Sequence, residues 1–131
     1  MKRHRLLTLS LTAILLGGCG YWLFGDTIIE RWRFYRFDTP TWLVTRAEQR
    51  YYMAQFLLDS GTLTGKSRAE VLSMLGKPDS GSVDPSSTDW MLYCLGPERG
   101  SMFRIDDDWL EITFSHEPTQ KGVIAARIRP D

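Results

Sequence analysis

The hydrophobic period changes once along this chain, and that change limits the folds open to it. Residues 67–78, "SRAEVLSMLGKP", read as one short helix. Ser67 and Glu70 have the spacing of a capping box, in which each side chain satisfies the other's backbone amide. Val71, Leu72, Met74 and Leu75 supply its apolar face, Gly76 is a left-handed terminator and Pro78 blocks continuation. A longer helix is expected from about Pro40 to Leu58, capped by Asp38 or Thr39 and ended by Gly61. Leu43, Ala47, Ala54, Leu57 and Leu58 fall near one stripe of it, with Arg46, Glu48, Gln49 and Arg50 opposite.

Beyond Asp89 the period is two. "DWMLYCLG" places Trp90, Leu92 and Cys94 on one side and Met91, Tyr93 and Leu95 on the other. "WLEITF" aligns Leu110, Ile112 and Phe114, and "GVIAARI" runs from Val123 or Ile124 to Ile128. Gly, Pro, Ser and Asp separate these runs. Two helices followed by three short strands predict an α+β fold, with two helices packed on a three-stranded antiparallel sheet.

The N-terminus carries a different signal. Lys2, Arg3 and Arg5 precede an apolar run, "LLTLSLTAILL", which ends in Gly17-Gly18-Cys19. That is the order of an export signal. Leu16-Gly17-Gly18-Cys19 resembles a bacterial lipobox, with cleavage between Gly18 and Cys19 and a lipid on the Cys19 thiol. Residues 1–18 are then a lipoprotein signal peptide. The alternative is an uncleaved anchor over residues 6–24, which holds 19 residues without a charge. At about 1.5 Å per residue that run is roughly as long as a bilayer core is thick. Both readings put residues 26–131 on the outer side of a membrane. The lipobox reading, with Gly20 after the cysteine, points to an outer-membrane lipoprotein, and the anchor reading to the inner membrane.

Charge narrows the partners. The chain has 16 basic and 16 acidic residues, but no acidic residue precedes Asp26. The part beyond residue 18 therefore has a net charge of −3, which argues against nucleic-acid binding. Residues 19–39 form a tether rich in aromatic residues and arginine. Trp22, Trp32, Arg33, Phe34, Tyr35 and Arg36 are the candidates there for contact with a partner or a lipid surface, the competing use being to cover the domain's own core. Residues 40–131 form the globular part.

The remaining motifs supply no catalytic set. Asp106, Asp107 and Asp108 are adjacent, lack calcium-loop spacing and read as a solvated turn. His116 is the single histidine beyond the N-terminal segment, so a metal site has no second imidazole and none is expected. Cys94 lacks a neighbouring base in sequence and reads as a core thiol. "GPERG" at 96–100 and the Gly-Lys-Ser of 65–67 both miss the spacing of a phosphate loop. No cofactor is expected.

At residues 63–79 the chain resembles a known family. "LTGKSRAEVLSMLGKPD" is similar to the second-helix signature of small BamE/SmpA-like (OmlA-type) envelope lipoproteins, in which a helix ending Leu-Gly-x-Pro leads into three strands. The run "WMLYCLGPERGSMFRIDDDWLEITF" resembles small BamE-like domain proteins, with their Tyr-x-Leu-Gly strand end and Leu-x-Ile-x-Phe strand. The likeness covers about residues 45–129. It implies an ααβββ fold, a place in the bacterial envelope and a non-catalytic assembly or scaffolding role with an envelope protein as partner. The alternative is an envelope hydrolase or ligand-sensing domain whose pocket no linear motif reveals.

Overall fold

The computed structural model describes residues 28–81, 89–99, 103, 105–115 and 122–131. The chain divides into two units between Arg33 and Phe34. Of the first, residues 28–33 are described. They belong to a helical stretch, residues 28–34 (α1), within what the sequence pattern marks only as a tether.

The expected long helix is two helices. Thr39–Val44 (α2) starts at Asp38, whose carboxylate accepts the Thr41 amide at 3.1 Å, with Pro40 in the first turn. Ala47–Asp59 (α3) follows after Thr45 and Arg46, both in extended conformation. No glycine or proline marks this break. The Thr45 hydroxyl instead donates back to the Thr41 carbonyl, a local bond that competes with helix continuation. The Trp42 carbonyl freed at the break accepts from Arg50 Nε at 3.1 Å. With α2 turned off α3, the Trp42 ring lies wholly buried and its indole N–H reaches the Leu75 carbonyl at 3.1 Å.

Arg68–Leu75 (α4) forms as its sequence indicates. Glu70 donates its amide to Ser67 Oγ at 3.2 Å, and its carboxylate accepts the Ser67 amide at 2.7 Å. Gly76 closes the helix at φ 76°. The carbonyls left over at this end accept from side chains of other elements, Leu75 from Trp42 and Gly76 from the Tyr93 hydroxyl at 3.0 Å.

The sheet is an antiparallel meander in the order β1-β2-β3-β4. Its strands are Ser80–Gly81 (β1), Trp90–Pro97 (β2), Asp107–Phe114 (β3) and Val123–Pro130 (β4). The fold is thus α+β, with four strands where three were expected. Two residues of β1 are too few to show a period of two, and only their pairing with Leu92 and Met91 reveals the strand. Met91, Tyr93 and Leu95 from β2 meet Leu110, Ile112 and Phe114 from β3 on the face that the helices cover. In β4 the register with β3 shifts between Thr113 and Phe114. This bulge turns Val123 inward (5% exposed) and leaves Ile124 out (51% exposed), and then sets Ala126 and Ile128 against the core.

Candidate interaction site

The base of the β2–β3 connection is built by residues distant in sequence. Near the end of β2 the register with β3 shifts, and Gly96 sits at φ 79°. Its backbone passes so close to α3 that a Cβ there would lie 2.7 Å from Glu48 Cα. This approach brings Arg99 over the first turns of α3. Its guanidinium lies 4.9 Å from the Tyr51 ring centre and 4.7 Å from that of Tyr52. It donates to the Tyr52 hydroxyl at 3.2 Å and to the Glu48 carbonyl. The Arg99 amide donates to Asp108 Oδ2 at 3.0 Å.

Asp108 is therefore buried within β3, and Asp107 lies in the same strand. Of the three acids expected to form a solvated turn, only Asp106 precedes the strand. The physical reason is pairing: the Arg99 amide gives the Asp108 carboxylate a partner under the connection. Burial, and then the nearby Asp108 charge, pushes the Tyr51 phenol above its usual pKa. Above this anchored base Phe103 is 76% exposed and Ile105 81% exposed. The arrangement is a clamp at the base of a connection on which two large apolar side chains are exposed to solvent.

On the sheet face opposite the helices, Glu111 holds two arginines. Its carboxylate lies 2.8 Å from Arg127 Nη2 and 2.7 Å from Arg129 Nε. Cys94 lies across from Trp109 on this face, half-buried and outside the apolar core where the sequence reading put it. The alternation of β2 sends Met91, Tyr93 and Leu95 inward, so Cys94 must point the other way. Burial raises its thiol pKa, which keeps the sulfur protonated. Trp109 Nε1 is buried there with no hydrogen-bond partner among the described residues.

A groove of about 300 Å³ runs between the end of α3, the turn after it and the start of β4. Leu57, Leu58, Leu63, Ile124 and Ala126 are among its walls, and no titratable side chain lines it.

The residues expected at the tether divide in use. Trp32 and Arg33 lie in α1, where Trp32 is 89% exposed. Phe34 packs against the core. Tyr35 stacks edge-on against Phe56 with ring centres 5.9 Å apart, and its hydroxyl donates to Asp59 at 2.7 Å. Arg36 is exposed, while Phe37 packs against Trp42. Phe34, Tyr35 and Phe37 thus serve the domain's own packing. Gly18, Cys19 and Trp22, the anchor range 6–24 and His116 lie outside the described residues.

Among the described residues no helix is long and apolar enough to cross a membrane, and no group of three His, Cys, Asp or Glu is placed to hold a metal ion. Sequence reasoning missed the Arg99 clamp because its members come from three separate segments; the one local sign was Gly96 at a strand end. No family model matches the chain, and no curated protein and no solved structure is similar to it at a significant level.

Proposed function

We propose that this chain is a membrane-tethered, non-catalytic protein-interaction module of the bacterial envelope. The observation that carries the reading is the pair Phe103 and Ile105, held out in solvent on a connection whose base Arg99 clamps to α3. Large exposed apolar side chains on an anchored support are the usual core of a protein-binding surface. The finer identification, a BamE-like ααβββ domain with its first helix divided, a helical stretch before it and one short strand added, belongs to this proposal. It rests on the likeness of residues 63–79 and 90–114 to that family. So does the envelope location, which rests on the export signal and on Cys19 as a lipidated first residue. The partner class is another envelope protein, and no cofactor enters the reading.

Capture from membrane extracts tests this directly. The full chain and a Phe103→Ser/Ile105→Ser variant are extracted in detergent, and the bound proteins are identified by mass spectrometry. An envelope protein retained by the parent and lost by the variant supports the module. Recovery of no envelope protein above background overturns it. For the tether, Cys19→Ala should abolish palmitate labelling and processing; unchanged processing would leave residues 6–24 as an anchor.

A further inference from the structure

The two edges of the sheet are finished differently. The β1 edge is two residues long, whereas β4 runs for eight. In an antiparallel ladder the backbone groups of successive residues point to alternate sides. Asp131 donates its amide to the Asp107 carbonyl at 3.0 Å. Stepping back along the ladder, Arg129 and Arg127 spend their amides and carbonyls on β3, and Ile128 and Ala126 turn theirs to the outer edge. Before the bulge the sense is reversed. There Val123 faces outward, donating to the Lys66 carbonyl at 2.9 Å and accepting from the Gly65 amide at 3.0 Å. The chain's own turn thus pairs with the first outward position of this edge. The next two, Ala126 and Ile128, have no such partner among the described residues.

The surroundings of those two positions define what fits them. On one side of the strand lies the apolar groove of Leu57, Leu58 and Ile124. On the other, the Arg127 and Arg129 guanidiniums both pair with the one carboxylate of Glu111, and Arg127 remains 68% exposed. A second copy of β4 would bring its own two arginines to the same rim, like charge beside like. An added strand with apolar side chains on its groove side and acidic ones on its rim side meets both surfaces.

We infer that the β4 edge is a docking site for an extended segment of another protein, one in which apolar and acidic residues alternate. The segment takes the Ala126 and Ile128 backbone groups as an added strand, sets its apolar side chains in the groove and its carboxylates against Arg127 and Arg129. The inference rests on the reading of the chain as an interaction module, and assigns it a surface separate from Phe103 and Ile105.

The test uses the full chain in detergent and a fluorescein-labelled synthetic peptide of alternating valine and glutamate, followed by fluorescence anisotropy. Saturable binding is expected. N-methylation of one alternate set of peptide amides should weaken it about tenfold, the effect of losing two backbone hydrogen bonds, while methylation of the other set leaves it unchanged. Arg127→Gln should weaken binding, and Arg127→Glu should shift preference to a valine–lysine peptide. The Phe103→Ser/Ile105→Ser variant should bind the peptide as the parent does. No binding, equal loss from both methylation patterns, or self-association that the peptide competes against would overturn the inference. If the peptide fails while envelope-protein capture still depends on Phe103 and Ile105, the edge proposal falls and the interaction reading stands.

Discussion

The two faces of this sheet are made of the same strands and do opposite work. The helix-covered face is a closed apolar layer of Met91, Tyr93, Leu95, Leu110, Ile112 and Phe114, sealed by the buried Trp42. The other face mixes Trp90, Leu92 and Trp109 with the Glu111–Arg127–Arg129 ion cluster, and it ends at a long edge strand. Polar atoms on the covered side are satisfied within the fold: the Trp42 indole by Leu75, the Tyr93 hydroxyl by Gly76. Burial holds the Tyr93 phenol far above its ordinary pKa, so it remains a donor over the working pH range. Beside the other face, the Ala126 and Ile128 backbone groups point away from the ladder. The difference teaches that stability sits in one face and spare recognition capacity at the rim of the other.

Substitutions that act on the covered side should therefore dominate unfolding. Trp42→Ala removes the largest buried ring and leaves the Leu75 carbonyl unpartnered; urea unfolding should show a loss of about 3–5 kcal/mol. A loss near zero would break the comparison outright. Gly96→Ala should cost about 1–3 kcal/mol, because the backbone is at positive φ and the new Cβ meets Glu48. Ser67→Ala removes the α4 cap and should cost about 1 kcal/mol.

The same cap sets a pH dependence. The Ser67 amide, and then its hydroxyl, donate to the Glu70 carboxylate and hold it below the usual carboxylate range. A carboxylate depressed in the fold contributes stability above its unfolded value and loses it as pH falls through the folded value. Thermal unfolding followed into acid should thus show the parent losing a contribution that Glu70→Gln never has. The smallest effect belongs to the opposite face. Glu111→Gln should change stability by less than about 1 kcal/mol, since Arg127 is mostly in solvent and salt screens the pair. A loss matching that of Trp42→Ala would mean that both faces hold the fold equally.

What the sequence made legible follows the range of the interactions. Ser67 to Pro78 could be read residue by residue, because cap, apolar face and stop are all local. The period of two in β2 and β3 was legible for the same reason, but the inward face of β2 was not, since Cys94, expected in the core, lies on the outer face; the choice of Val123 over Ile124 likewise waited on a bulge set by pairing with β3. The break at Thr45 and Arg46 was hidden: the burial of Trp42 against Leu75 joins residues 33 positions apart. The Arg99 clamp was hidden likewise, since Glu48, Tyr52 and Asp108 meet only after the sheet and α3 pack. The aromatic run before Pro40 looked like one surface in sequence and proved to be two, with Trp32 exposed and Phe34, Tyr35 and Phe37 turned to the domain.

Amide hydrogen exchange along β4 in the full chain, without any added partner, tests the central contrast most directly. The Arg127 and Arg129 amides, bonded to β3, should exchange slowly, and the Ala126 and Ile128 amides, facing an edge that no described residue pairs with there, should exchange fast. Equal and strong protection of all four would contradict the account, because the edge would then already be occupied.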